Sequence, residues 1–187
     1  MDGRSEFVER AVIATGARIP HVAAAFATLF RTSWPKSAVL DAVQAATREH
    51  AYRDACERLL WAFDAAYAAY PTASFWWKDE TSHFLGFCPR LAAASGLRAI
   101  ELLGRTDADA DVVWSRQGAL YMKDDREVLL AGQPKFDIVE RQDREGGTVW
   151  LRTSKVPYIS PAGSGTVGGF DTISAAHARE LAKHRKP

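Results

Sequence analysis

The stretch from Gly146 to Asp171, GGTVWLRTSKVPYISPAGSGTVGGFD, reads as strand, turn and strand. β-Branched and aromatic residues fill both arms, and a Gly/Pro-rich cluster separates them. Side chains alternate along a strand, so Trp150, Arg152, Ser154 and Val156 share one face of the first arm. Val149, Leu151, Thr153 and Lys155 share the other. Periodicity alone does not choose the inner face. Lys155 is the odd residue, a charge in what otherwise looks like one wall of a hydrophobic sheet.

Outward from this hairpin the texture is mixed α/β back to Pro71. Ser74 to Asp79 (SFWWKD) and His83 to Cys88 (HFLGFC) are strand-like and separated by a polar turn. Short helices are expected over Pro89–Ala94 and Arg98–Leu103, stopped by Gly96 and Gly104. Asp111 to Ala131 is expected as a longer helix, with Val113, Leu120, Val128 and Leu129 apolar and Gly132 as its stop. Lys135–Gln142, Thr148–Ile159 and Thr166–Ile173 then read as three antiparallel strands. Ala175–Lys186 reads as a charged helix leaving the domain.

Before Pro71 the chain is alanine-rich and helical in period. Phe7, Val8, Val12 and Ile13 suggest a first helix ended by Gly16, and Pro20 suits the first turn of a second, His21 to Phe30. Helical character resumes at Lys36 and reaches about Tyr70, with an interruption near His50. Tyr52, Cys56, Leu59, Phe63, Ala66 and Tyr70 recur at heptad spacing. Two readings follow: an amphipathic helix packed on its own domain, or a self-association helix centred on Leu59 and Phe63. Leu60, Trp61 and Tyr67 add apolar surface on the other face.

The bulk properties bound the function. With 47% hydrophobic and 25% charged residues and a formal net charge of +1, the chain gives no electrostatic reason to expect nucleic acid or an anionic membrane as partner. Cys56 and Cys88 form no metal or redox spacing, which fits a reducing cytoplasm. No stretch of about 18 apolar residues reads as a membrane span, and the charged N-terminus lacks the apolar run of a secretory signal.

The order of two strands, short helices, one longer helix and three strands resembles a PAS domain over residues 72–174. The resemblance rests on FWWKDE, FLGFCPRLAAASGL, ELLGRTDADA, YMKDDREVLLAGQP and GGTVWLRTSKVPYISPAGSGTVGGFDTIS, five pieces in the family's order. One departure stands out. The family's closing Asp-Ile-Thr is here Thr172-Ile173-Ser174, with Asp171 one residue early, so the hand-over to the exit helix is expected to be rewired. The implied fold is α+β, a five-stranded antiparallel sheet with short flanking helices. It would be preceded by an all-α segment, residues 1–70, outside the resemblance, and followed by a connector helix, residues 175–187.

The family senses small ligands, haem, flavin or light, or serves as a dimerising connector. A haem ligand on the long helix is missing, since no His lies between His83 and His177. FCPRLA around Cys88 sits too early in the fold for the photochemical flavin motif, and Cys88 is expected as a buried small hydrophobe. Haem and flavin are therefore disfavoured and no cofactor is expected. No catalytic triad, metal cluster or phosphate-cradling loop emerges, so no enzymatic activity is expected. Thr106–Asp111 (TDADAD) lacks the Gly and closing Glu of a calcium loop and reads as a helix-initiating acidic cluster.

The resemblance turns Leu151, Thr153 and Lys155 towards the cavity between sheet and helices, and Trp150 and Arg152 to the outer face. A buried ammonium needs a partner. Glu140, which shares a strand face with Phe136 and Ile138, is one candidate; Asp107 or Asp109 is another, and a ligand carboxylate the third. An internal bridge is favoured over direct ligand contact. Trp77, Phe87, Trp114, Tyr121 and Phe170 are the expected walls. The expectation is a bacterial, cytoplasmic, homodimeric sensory module that binds a small, acidic, amphipathic ligand and relays through its helical linkers to a downstream signalling protein or domain. The alternative is a ligand-free dimerisation or docking adaptor whose contact surface is the outer sheet face, with Trp150 and Trp76.

Overall fold

The structure, a computed structural model, describes residues 3–109, 111–144 and 146–184. Four helices come first: α1 (Gly3–Thr15), α2 (Ile19–Ser33), α3 (Ser37–Thr47) and α4 (Tyr52–Ala69). Then follow β1 (Ala73–Asp79), β2 (Phe84–Phe87), α5 (Pro89–Ser95), α6 (Ala99–Leu102), α7 (Ser115–Ala131), β3 (Lys135–Arg144), β4 (Gly147–Ser160), β5 (Gly163–Ile173) and α8 (Ala175–His184). All strand pairs are antiparallel, in the order β2-β1-β5-β4-β3. This is the expected five-stranded α+β fold.

The sheet is covered on both faces. α5 and α7 lie on one, and α2 and α4 on the other. This explains β1, in which residues 73–78 are all buried. A strand enclosed on both sides reads as a continuous apolar run, without alternation. The adjacent tryptophans go opposite ways. Trp77 packs at 6.2 Å from Phe26 and 5.8 Å from Phe63, and its indole N–H donates to Thr15 Oγ1 at 3.0 Å. Trp76 turns to the α7 side, where it packs at 5.7 Å from Phe170.

The glycines of β5 make room for these rings. A Cβ on Gly168 would stand 2.5 Å from the Trp76 ring that lies over it. A Cβ on Gly169 would stand 2.6 Å from Phe75 on the opposite face. A glycine gap filled by a cross-strand aromatic ring fixes strand register as well as packing.

The N-terminal helices belong to the same core. Leu59 and Phe63 are fully buried, and Phe63 stacks on Phe75 at 5.9 Å. The heptad seam is thus intramolecular packing, which corrects the reading that placed Leu59 and Phe63 at a dimer centre. The outer sheet face is likewise covered: Ser33 Oγ donates to Ser154 Oγ at 3.0 Å. The helical run Gly3–Ser33 is long and apolar enough to cross a membrane, with a mean hydropathy of 1.3, where the sequence reading found no such stretch. Its continuity is broken at Gly16, whose φ is +46°, and Val22, Phe26, Leu29 and Phe30 are buried within the fold.

The rewired hand-over is visible at Asp171. Its carboxylate accepts from Trp34 Nε1 (2.9 Å), Thr72 Oγ1 (3.3 Å) and Arg152 (3.0 Å). Ser174 caps α8 through Oγ, which accepts from the His177 N–H at 3.1 Å. α8 does not leave the domain. It lies against β3 and β4 with Ala178 buried. The end of the expected tail helix, Arg185 and Lys186, lies outside the described residues.

Candidate ligand-binding site

α7 buries Gly118, Tyr121, Asp125 and Val128, one stripe at helical spacing. Gly118 sets the close approach of α7 to the loop before it, because a Cβ there would stand 2.3 Å from the Asp107 carbonyl oxygen. The expected apolar positions Val113 and Leu120 are exposed, and helix begins at Ser115 rather than Asp111.

Asp125 is the hub of a buried charge cluster. Lys155 Nζ approaches Asp125 Oδ1 at 2.6 Å, as an ion pair off the hydrogen-bond direction. It also donates to the Tyr121 carbonyl at 2.8 Å. Lys78 Nζ donates to Asp125 Oδ2 at 3.0 Å and to Asp107. Trp114 Nε1 donates to the other oxygen of Asp107 at 2.9 Å. Burial alone would raise the Asp125 carboxyl, but the two ammonium groups win and hold it at about 2. Burial opposes the charge on Lys155 too, and Asp125 and Glu140 outweigh it, so Lys155 stays protonated well above its ordinary range.

Lys155 is therefore held by an internal bridge, as expected, but its close partner is Asp125. Glu140 stands 4.0 Å away. Asp107 serves Lys78, and Asp109 accepts from the Thr106 N–H and hydroxyl. Of the stretch read as an acidic cluster, Thr106–Asp109 closes on itself through these bonds, and Ala110 lies outside the described residues.

Beside this cluster lies a cavity of about 30 Å³. Trp76, Lys78 and Phe84 bound it from β1 and β2, and Leu91 from α5. Glu140, Gln142, Leu151, Lys155 and Phe170 form the sheet floor, and Asp107, Trp114 and Tyr121 close it. Of the expected site residues, Trp114, Tyr121, Glu140, Leu151, Lys155 and Phe170 meet here. Thr153 is buried beside them and donates to Glu140 Oε2 at 2.6 Å. Ile138 is buried in β3 but does not line the cavity. Trp77 and Phe87 are corrections. Both face the N-terminal helices, with Phe87 at 5.2 Å from Phe7, because double-sided burial erased the alternation that would have distinguished Trp76 from Trp77.

Two polar atoms of the lining lack a hydrogen-bond partner among the described residues. They are Glu140 Oε1 and the indole nitrogen of Trp76. Burial raises the Glu140 carboxyl, and the pull of Lys155 does not offset it. The expected acidic ligand finds no free cation here, since Lys78 and Lys155 are both ion-paired. Among the described residues no group of three or more His, Cys, Asp or Glu could hold a metal ion. His83 sits near the surface at 2.8 Å from Thr81 Oγ1. Cys88 is buried at the start of α5, where its sulfur accepts from the Phe75 N–H at 3.2 Å. Burial raises its thiol.

No protein-family model matches the chain, and no curated protein matches it. Solved structures do. The PAS domain of Bordetella pertussis BvgS superposes with a TM-score of 0.52 at 20% identity, covering 70% of this chain and 96% of that one. Vibrio cholerae VqmA, a LuxR-type receptor described as a dimer with a target DNA, superposes with a TM-score of 0.51 at 20% identity and covers 60% of this chain. The match spans about half of the VqmA chain, 51%. At such identity the likeness concerns the fold, and the fold of this chain is PAS-like.

Proposed function

We propose that this chain is a sensory module that takes up a small molecule in the cavity between the sheet and α7. The observation that carries the reading is a pair of buried polar atoms without a hydrogen-bond partner among the described residues, Glu140 Oε1 and Trp76 Nε1, both on residues that line the same cavity. Each buried orphan of this kind costs about 1–3 kcal/mol, a cost that a bound partner recovers. A cavity of about 30 Å³ accommodates one or two waters, so a larger guest displaces the wall formed by Trp114 and Tyr121. That wall is continuous with Asp125, and Asp125 holds both buried lysines. Ligand occupancy is thereby read out as a shift of α7 against the sheet.

In this reading the protein is bacterial, cytoplasmic and without enzymatic activity. It acts as a homodimer on a signalling protein or domain. The dimer and receptor character of VqmA support that assignment by analogy of fold. The formal net charge of +1 supports a protein rather than a nucleic acid as the downstream partner.

The small cavity favours a second reading, the ligand-free adaptor. Its contact surface would then be the exposed Trp61 and Tyr67 of α4, since the helices already cover the outer sheet face. Native mass spectrometry of protein purified from its host separates the two. A stoichiometric mass increment, lost on denaturation, supports the sensor. Its absence in dimeric protein supports the adaptor.

A further inference from the structure

The charge balance and the two orphaned atoms specify the chemistry of the guest. Lys78 and Lys155 are answered by Asp107 and Asp125, so those four charges sum to zero. Glu140 adds a third acidic group, and an incoming carboxylate would bring a fourth into a site whose two cations are both ion-paired. Electrostatics therefore selects against acids.

Hydrogen bonding selects further. The Trp76 indole can only donate. It lies over Gly168 of β5, with Nε1 3.1 Å from where a Cβ would be. Glu140 leans over β4, where Thr153 holds its Oε2, leaving Oε1 as acceptor. Gly168 faces Lys155 in register, and Thr153 faces Phe170. The two anchoring points are thus one strand apart, about 5 Å, and two residues apart along the strand, about 7 Å. Two hydrogen bonds of about 3 Å and one short polar group span such a gap. The flanking surfaces, Phe84, Leu151 and Phe170, are apolar and suit a flat ring.

We infer that the guest, on the ligand-binding reading above, is a neutral, flat molecule of about one ring whose acceptor faces Trp76 Nε1 and whose neighbouring donor faces Glu140 Oε1. A primary or cyclic amide is the simplest group that carries both.

Three probes of one shape test this: benzamide, benzoate and toluene, titrated by saturation-transfer NMR up to about 10 mM. Benzamide is expected to bind at least about tenfold more tightly than either of the others, because toluene loses both hydrogen bonds and benzoate loses the donor to Glu140 and meets its charge. Trp76→Phe is expected to weaken benzamide by about 3–10-fold, with circular dichroism as the folding check. Glu140→Gln, which keeps the shape and removes the acid, is expected to narrow the preference for benzamide over benzoate. Benzoate or toluene binding as well as benzamide to the wild type overturns the inference and leaves the ligand-binding site standing. No binding of any probe to the wild type overturns the ligand-binding reading itself, and the inference with it.

Discussion

A single carboxylate, Asp125, contacts two buried lysines, Lys78 and Lys155. Removing it leaves Lys155 with Glu140 at 4.0 Å as its nearest acidic group, beside the Tyr121 carbonyl, while Lys78 keeps Asp107. Asp125→Ala is expected to cost about 3–5 kcal/mol in urea denaturation, the usual penalty for orphaning one half of a buried pair. Lys155→Met is expected to cost less, because Asp125 keeps Lys78 at 3.0 Å. The same cluster sets two pH limits. The Asp125 carboxyl lies at about 2 against an ordinary 3.8, so its contribution is full above 3.8 and is lost as pH falls towards 2. Glu140 is displaced upward from 4.5, so its contribution is full below 4.5 and is lost as pH rises through its raised value. Glu140→Gln is expected to abolish the upper slope of a stability–pH profile and leave the lower one. Lys155 could be singled out from the sequence because it is the one charge on a strand face that otherwise carries Val149, Leu151 and Thr153. Asp125 could not. It lies in the run Lys123-Asp124-Asp125-Arg126-Glu127, where nothing local separates the one buried carboxylate from its solvated neighbours.

Among the elements, strands and glycine stops were legible and inner faces were not. Gly96 and Gly132 both adopt the left-handed conformation at the ends of α5 and α7, as their positions implied. The inner stripe of α7 was missed because it contains Gly118 and Asp125, neither of which registers as apolar. In β4, Leu151 and Lys155 do face the cavity, an assignment that came from the family resemblance and not from periodicity. In β1 and β5 the pairing of ring and glycine decides the register. Gly168→Ala is expected to cost about 1–3 kcal/mol by overpacking against Trp76. In a Trp76→Leu background the penalty should shrink, and the double-mutant cycle on thermal unfolding measures that coupling.

For the molecule as a whole, the sheet carries a covering of helices on both faces. The double substitution Leu59→Glu and Phe63→Glu is expected to unfold the protein, because both side chains lie in the shared core. Trp61 is 53% exposed on the outer side of α4, so Trp61→Glu is expected to leave circular dichroism unchanged. If α4 forms the homodimer contact, sedimentation of that variant gives a monomer. Texture and motif order disclosed the PAS-like half. Helical periodicity disclosed the N-terminal helices but not their destination, because an apolar stripe does not specify which surface it covers.

The bond from Trp34 to Asp171 joins residues 137 positions apart. During synthesis at about 5–20 residues per second, the end of α2 waits roughly 7–27 s for that partner to be made. For most of that interval Phe26, Phe30 and Phe63 have β1, with Phe75 and Trp77, but not β4 and β5, which pack on α2. The N-terminal helices must therefore associate with one another, or with a chaperone, before the sheet exists. The birth order of the chain makes its first seventy residues the most exposed to aggregation, although they are among the best covered once it has folded.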